Sequence, residues 1–209
     1  MRLSAENVTH GFGERVLLRN LDFESAIGES VAIVGPSGSG KSTFLAILGG
    51  LLKPDSGTVG VLGREGLAPH DSYASWVPQN ARLFGGRSVL HNIALGAQAA
   101  SDSWQEASRR AHAALSGVGL QHLHHAPART LSGGEAQRVA VARALAGDRP
   151  FVLADEPTGQ LDRRTTQEVA DVLLRKHSPV RGVVVVTHDL ELAARCDRIL
   201  HLAEGRLQA

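Results

Sequence analysis

The chain has 209 residues, 43% hydrophobic but only 4% aromatic, and its 22 Lys and Arg against 21 Asp and Glu leave a formal charge of +1. That length can bury a sizeable core in one domain or one domain with a small lobe. The balanced charge and scarce aromatics exclude broad electrostatic capture of nucleic acid and stacking platforms for single strands.

No apolar run approaches the roughly 20 residues that a membrane-spanning helix needs, and the first residues, MRLSAENVTH, lack an apolar signal region. The single Cys196 cannot form an internal disulfide, and a free thiol suits a reducing compartment, so a cytoplasmic location is expected.

In chain order, strands around Leu3–Val8 and Leu21–Ser25 are expected to pair as an antiparallel edge. The apolar run Val31–Val34 is a buried strand leading into Gly35-Pro36-Ser37-Gly38-Ser39-Gly40-Lys41-Ser42, and KSTFLAIL then forms a helix ending near Gly49-Gly50 or Pro54. Strand, G-x-x-x-x-G-K-S and helix together form a phosphate cradle. Glycines let backbone N–H groups turn inward at phosphate oxygens, and the helix adds its positive end. In such a loop Lys41 reaches the β- and γ-phosphates and the Ser42 hydroxyl ligates magnesium.

The stretch from about Arg82 to Thr130 is polar, mostly helical, and interrupts the strand series as a candidate lobe. Within it Asp102–Leu115 has Trp104, Ala107 and Ala111 at helical spacing, behind a capping box of Ser103 and Glu106. His122, His124 and His125 have no Cys or carboxylate at metal-ligand spacing and are expected to be solvated loop residues.

Leu131-Ser132-Gly133-Gly134-Glu135 then opens a helix through Leu145. Ser132 and Glu135 fit a capping box, which explains the serine but not the two glycines. Glycine costs about 1 kcal/mol relative to alanine in a helix, and bare backbone there suits a close phosphate. A second cradle in a chain that already has one suggests that two copies meet across a dimer.

Phe151–Ala154 and Val183–Val186 are continuously apolar, as strands covered on both faces are, so a mainly parallel sheet is expected. Phe151–Ala154 runs into Asp155-Glu156-Pro157, which is either an exposed turn or a pair of acids at a strand's carboxyl end, where α/β sheets bind ligands. On the second reading Asp155 holds magnesium and Glu156 takes a proton from the attacking water.

Taken as a set, these motifs resemble the nucleotide-binding subunits of ABC transporters over nearly the whole chain: the phosphate loop Gly35–Thr43, WVPQ with Gln79, LSGGE, Asp155 and Glu156, GQLD ending at Asp162, and His188. The resemblance implies an α/β fold: a P-loop NTPase core with a mainly parallel sheet, an antiparallel β edge and a small helical lobe (about 82–130) within a single ABC ATPase domain over 1–209. It implies ATP and Mg2+ as ligands. It further implies that Gln79 senses metal and attacking water, that His188 contacts the γ-phosphate, that Ser132, Gly133 and Gly134 bind the ATP of the other subunit, and that Asp162 lies at the dimer interface. The family's base-stacking aromatic corresponds to Phe12 in HGFG, which otherwise only packs its turn.

By the same resemblance the partners are a second ABC ATPase subunit, as homodimer or heterodimer, and an integral membrane permease at the inner face of the cell membrane, with no nucleic acid. A regulatory or mechanical ATPase that signals to a membrane protein without transport is the alternative. DEPTGQLD resembles the lipoprotein-releasing, macrolide-export and cell-division branch, whereas WVPQNARLFGG and NIALG resemble fused exporters. A partner helix is expected to dock in a groove beside Gln79, lined by residues such as Leu83, Phe84 and Val89.

Overall fold

In the computed structural model, which describes residues 1–62, 73–98, 103–159, 161–174 and 181–208, two long N-terminal strands come first. They are β1 (Arg2–Phe12) and β2 (Arg15–Ala26), followed by β3 (Ser30–Val34), α1 (Lys41–Leu48), β4 (Ser56–Leu62) and β5 (Ala74–Val77). Next come the helices α2 (Val89–Gln98), α3 (Trp104–Gly117) and α4 (Gly133–Ala146). The chain continues with β6 (Phe151–Asp155), α5 (Arg163–Leu173), β7 (Gly182–Val186), α6 (Leu190–Ala193), β8 (Arg198–Ala203) and β9 (Arg206–Gln208).

The chain divides into two units: one of Met1–Trp76, Pro150–Glu156 and Lys176–Ala209, the other of Val77–Arg149 and Pro157–Arg175. In the first, β1 pairs antiparallel with both β2 and β4, the expected edge with longer strands and a third member. Leu3, Ala5 and Val8 of β1 and Leu18, Leu21 and Phe23 of β2 are buried in one core, with a register shift between Ala5 and Val8. The second sheet runs β5-β6-β7-β3-β8-β9. Its central pairs β6–β7, β7–β3 and β3–β8 are parallel, and β9 returns antiparallel. Every residue of Gly182–Val186 is buried, which is why β7 reads as valine without alternation.

α1 lays Phe44, Leu45, Ile47 and Leu48 into this core, where Phe44 meets Phe23 edge-to-face at 5.8 Å. Each such side chain contributes roughly 1.5–3 kcal/mol on burial. Tyr73 donates to the carbonyl of Leu48 at 2.6 Å, tying the end of α1 to β5, and burial pushes its phenol up to about 12. Cys196 is free, and burial pushes its thiol up to about 11, so it stays protonated and unreactive at neutral pH.

The second unit holds α2 to α5 around a core of Val89, Ile93, Ala107, Ala111, Leu115, Val139 and Ala142. The helix expected over Asp102–Leu115 is α3, capped by Ser103, which accepts from the Glu106 N–H at 3.2 Å; Asp102 lies outside the described residues. One expectation is corrected here. Val89 is fully buried in the helical core and so offers no docking face; Leu83 is half-buried against that core, and Phe84 is 60% exposed. The reason is periodicity: Val89, Ile93 and Ala97 fall on one side of α2, which faces α3 and α4.

Candidate active site

α1 begins with an unusual end. Its N-cap is Gly40, at φ 101°, with no side-chain cap and no acid in the first turn, so its first N–H groups point out unsatisfied by side chains. Glycine is favoured there by the left-handed backbone, and a Cβ would in addition press on the Leu18 side chain, 2.8 Å from its Cδ2. Lys41 is 8% exposed, and its Nζ donates to the carbonyls of Gly35 and Pro36 at 2.8 and 3.2 Å. A buried ammonium whose hydrogen-bond acceptors are all neutral carbonyls can take a further anion. Ser39 Oγ is buried in the same loop without a hydrogen-bond partner. An uncapped helix, a buried lysine bonded only to main-chain carbonyls and an orphaned hydroxyl all fit a polyphosphate.

Both acids stand at the carboxyl end of β6, within the run of parallel strands. Asp155 ends β6, in register with Val186 of β7, and β7 adjoins β3, which leads into the phosphate loop. Ser42 Oγ donates to Asp155 Oδ1 at 2.8 Å. Burial raises the Asp155 pKa, with the nearby Glu156 adding to it, while the Ser42 hydrogen bond and Lys41 oppose the shift. A hydroxyl and a carboxylate in contact are the hard oxygen donors that magnesium takes.

Glu156 follows at φ 43°, a left-handed conformation rare for a long side chain and still rarer before proline. Such strain collects at functional positions. Its N–H donates to Val186 O at 2.9 Å, extending the sheet by one residue. Three donors then converge on Glu156 Oε2: Thr187 Oγ1 at 3.2 Å, the His188 N–H at 3.3 Å and His188 Nδ1 at 2.9 Å. No hydrogen bond among the described residues reaches Oε1. One oxygen is anchored and the other carries no hydrogen bond among these residues, as suits a base that must receive a proton.

A cleft of about 750 Å³ lies along the phosphate loop, lined by Pro36–Ser39, Arg15, Leu17, Arg19 and Glu204–Arg206. Phe12 is not among its lining residues; it sits at the β1–β2 hairpin, 60% exposed, against the buried ring of His10 at 5.0 Å. Sequence reasoning missed Thr187, Arg15 and the β8–β9 turn. Only Thr187, a hydroxyl between a strand and a histidine, carried a local signal.

In the second unit, Ser132 and Glu135 form the full capping box at the start of α4. The Ser132 N–H and Oγ donate to Glu135 Oε2 at 2.8 and 2.7 Å, and the Glu135 N–H returns to Ser132 Oγ at 3.3 Å. These bonds lower the Glu135 pKa. The two glycines part company. A Cβ on Gly134 would stand 2.8 Å from Thr165 Cγ2, whereas one on Gly133 would meet nothing within 4 Å. Thr165 is held in turn by Asp162, the N-cap of α5, whose carboxylate accepts from Thr165 N and Oγ1 at 3.0 and 2.7 Å. Packing thus accounts for Gly134, whereas Gly133 has no neighbour that calls for a glycine. Asp162 has a capping role, and Gln160 of the same motif lies outside the described residues. Gln79 is exposed, just after Pro78, whose carbonyl accepts from Gln137 Nε2 at 3.1 Å.

Residues 18–159 match the ABC transporter family. The chain belongs to that family. The "Lipoprotein-releasing system ATP-binding protein LolD" of Hydrogenovibrio crunogenus is 44% identical over 199 residues, 90% of this chain and 86% of that protein. The "Macrolide export ATP-binding/permease protein MacB" of Hahella chejuensis is 39% identical across 100% of this chain, which spans 34% of that protein. A dimeric post-hydrolysis structure of the ATP-binding cassette MJ0796, bound to ADP and Pi, superposes with a TM-score of 0.86 at 34% identity, covering 99% of this chain and 97% of that one. The chain is accordingly an ATP-binding and ATP-hydrolysing ABC subunit.

For this ABC ATPase, Lys41→Ala is expected to weaken ATP binding about tenfold to a hundredfold, the worth of a charge-assisted contact of roughly 1.5–3 kcal/mol. Titration calorimetry measures it, and unchanged affinity and turnover would contradict the phosphate-loop assignment.

Proposed function

We propose that this ABC ATPase dimerises around two ATP molecules and drives a separate integral membrane permease from the cytoplasmic face of the membrane. Each phosphate loop, Gly35–Thr43, binds one ATP, and Ser132, Gly133 and Gly134 of the other subunit close on its γ-phosphate, with Asp162 at the interface. Glu156 takes the proton of the attacking water through Oε1, while Thr187 and His188 hold Oε2; His188 is then beside the γ-phosphate it contacts. Ser42 and Asp155, with Gln79 as a further ligand, would hold magnesium, which would supply charge neutralisation at the β- and γ-phosphates. Phe12 stacks on the base from the hairpin. The two units act as one ABC ATPase domain over 1–209, with about 82–130 as its helical lobe.

The observation that carries this reading is the Glu156 carboxylate, triply anchored on one oxygen next to an Asp155 that contacts Ser42 of the phosphate loop. Kinship supports the permease. No helix among the described residues is long and apolar enough to cross a membrane. MacB by its name joins ATP-binding and permease functions, and this chain spans only 34% of it.

Phe84 is the expected contact for the permease. Its ring is 60% exposed, yet the buried Asn92 holds its backbone: Phe84 N–H donates to Asn92 Oδ1 at 2.7 Å, and Asn92 Nδ2 donates to Phe84 O and Ser88 O at 3.2 and 3.0 Å. A rigidly presented exposed aromatic suits a partner's apolar helix face. Phe84→Asp is therefore expected to abolish co-purification with the membrane partner while basal ATPase activity survives. Retained co-purification would place the docking site elsewhere, and loss of both would show that Phe84 supports the fold.

A further inference from the structure

α4 carries Ser132 at its start and two polar side chains farther along that are turned on a single backbone segment. Gln137 is 4% exposed and donates from Nε2 to Pro78 O at 3.1 Å. Arg143 donates from Nη1 to Arg82 O at 3.1 Å and from Nη2 to Ala81 O at 3.2 Å. The two side chains therefore grip residues 78–82 from both ends, with the exposed Gln79 inside the grip.

Two further features make the grip firm. Arg82 is held at φ 39°, a left-handed conformation unfavourable for arginine and sustained by the bond to its carbonyl. At Gly96 of α2 a Cβ would stand 2.1 Å from Arg143 O and 2.9 Å from Arg143 Cγ, so α2 presses directly on the stem of that arginine. Spending a buried amide and a half-buried guanidinium on main-chain carbonyls costs their hydration, and it is sustained only where the bonds are well made.

We infer that Gln137 and Arg143 are positioning residues that make Gln79 travel with Ser132. Between Ser132 and Arg143 the chain is one continuous helix, rising about 1.5 Å per residue and stiff over that length. Whatever fixes Ser132 thereby fixes the carbonyls at 78, 81 and 82, and with them the placement of Gln79. On the proposed reading, in which Ser132 engages ATP on the other subunit and Gln79 serves the ATP of its own, closure of the dimer and assembly of the hydrolytic site become one event.

The test is a double-mutant cycle in the full-length subunit. Gln137→Leu deletes the donor while keeping volume. It is expected to lower kcat roughly tenfold to a hundredfold, the scale of a misplacement of about 1 Å, with KM for ATP unchanged. ATP-driven dimerisation in a Glu156→Gln background should persist. Combined with Gln79→Ala, the losses in kcat should fall well short of additive, since both changes act through one side chain. Arg143→Lys, which keeps the charge but not the two-pronged geometry, should show a smaller loss with the same non-additivity, and it carries the cycle if Gln137→Leu does not fold. Additive losses, or loss of dimerisation in parallel with kcat, would overturn the inference while leaving the role of Gln79 intact. Normal turnover in Gln79→Ala alone would overturn both.

Discussion

Replacing Glu156 with glutamine is expected to slow ATP hydrolysis by about 10²–10⁴-fold, the usual loss on removing a general base. The geometry makes this a clean change. The amide oxygen can stand where Oε2 now accepts from Thr187 Oγ1 and from the main-chain and ring nitrogens of His188, so the strained turn at Glu156 keeps its anchors. What disappears is the basicity of Oε1. Neutralising the acid also removes repulsion against the γ-phosphate, so the ATP-bound dimer should accumulate instead of turning over. Phosphate release and light scattering with ATP read the two effects. Hydrolysis near the normal rate, or no dimer with ATP, would remove Glu156 from the role of base.

Ser132→Arg is expected to abolish hydrolysis while leaving ATP binding intact, because the variant's own phosphate loop is untouched. Ser132 is exposed at the start of α4, so an arginine there projects from the surface and needs no room in the core. Loss of the capping hydroxyl costs about 1 kcal/mol, too little to unfold the subunit. Ser132→Ala carries the same capping loss without the bulk and charge, and so isolates the obstruction. Mixed with Lys41→Ala, the variant should regain activity. In each mixed dimer one composite site pairs an intact phosphate loop with an intact Ser132, so an equal mixture should reach about a quarter of normal turnover if the sites act independently. Absence of recovery in dimers shown to be mixed would argue against the trans arrangement or for strict coupling of the two sites.

The legible elements were those whose cause is local. Val31–Val34, Phe151–Ala154 and Val183–Val186 announce buried strands because both their faces are covered. The phosphate loop announces itself by glycine at fixed offsets, and α4 by a capping box closed within four residues. Harder to see were β4 and the β8–β9 hairpin, which lack a continuous apolar run: β4 is mostly exposed or half-buried, and β8 alternates. Val89 shows the limit most plainly. In the sequence it is one more apolar residue after Gln79, and only the packing of α2 on α3 and α4 decides that it faces inward while Phe84 faces out.

By itself the sequence determined the family and the chemical identity of the candidate groups: a lysine and serine in the phosphate loop, two adjacent acids, a histidine after a buried strand, and a serine at a helix start. Only the tertiary structure decided what those groups do to one another. Ser42 meets Asp155 across 113 residues, Thr187 and His188 fasten one oxygen of Glu156 across 31 and 32, and Arg143 reaches the carbonyls of Ala81 and Arg82 across 62 and 61. Residue type and spacing report the periodicity and turn chemistry of neighbours along the chain. A hydrogen bond between distant residues depends instead on strand order and helix packing, and these are set by how the whole core buries its apolar surface.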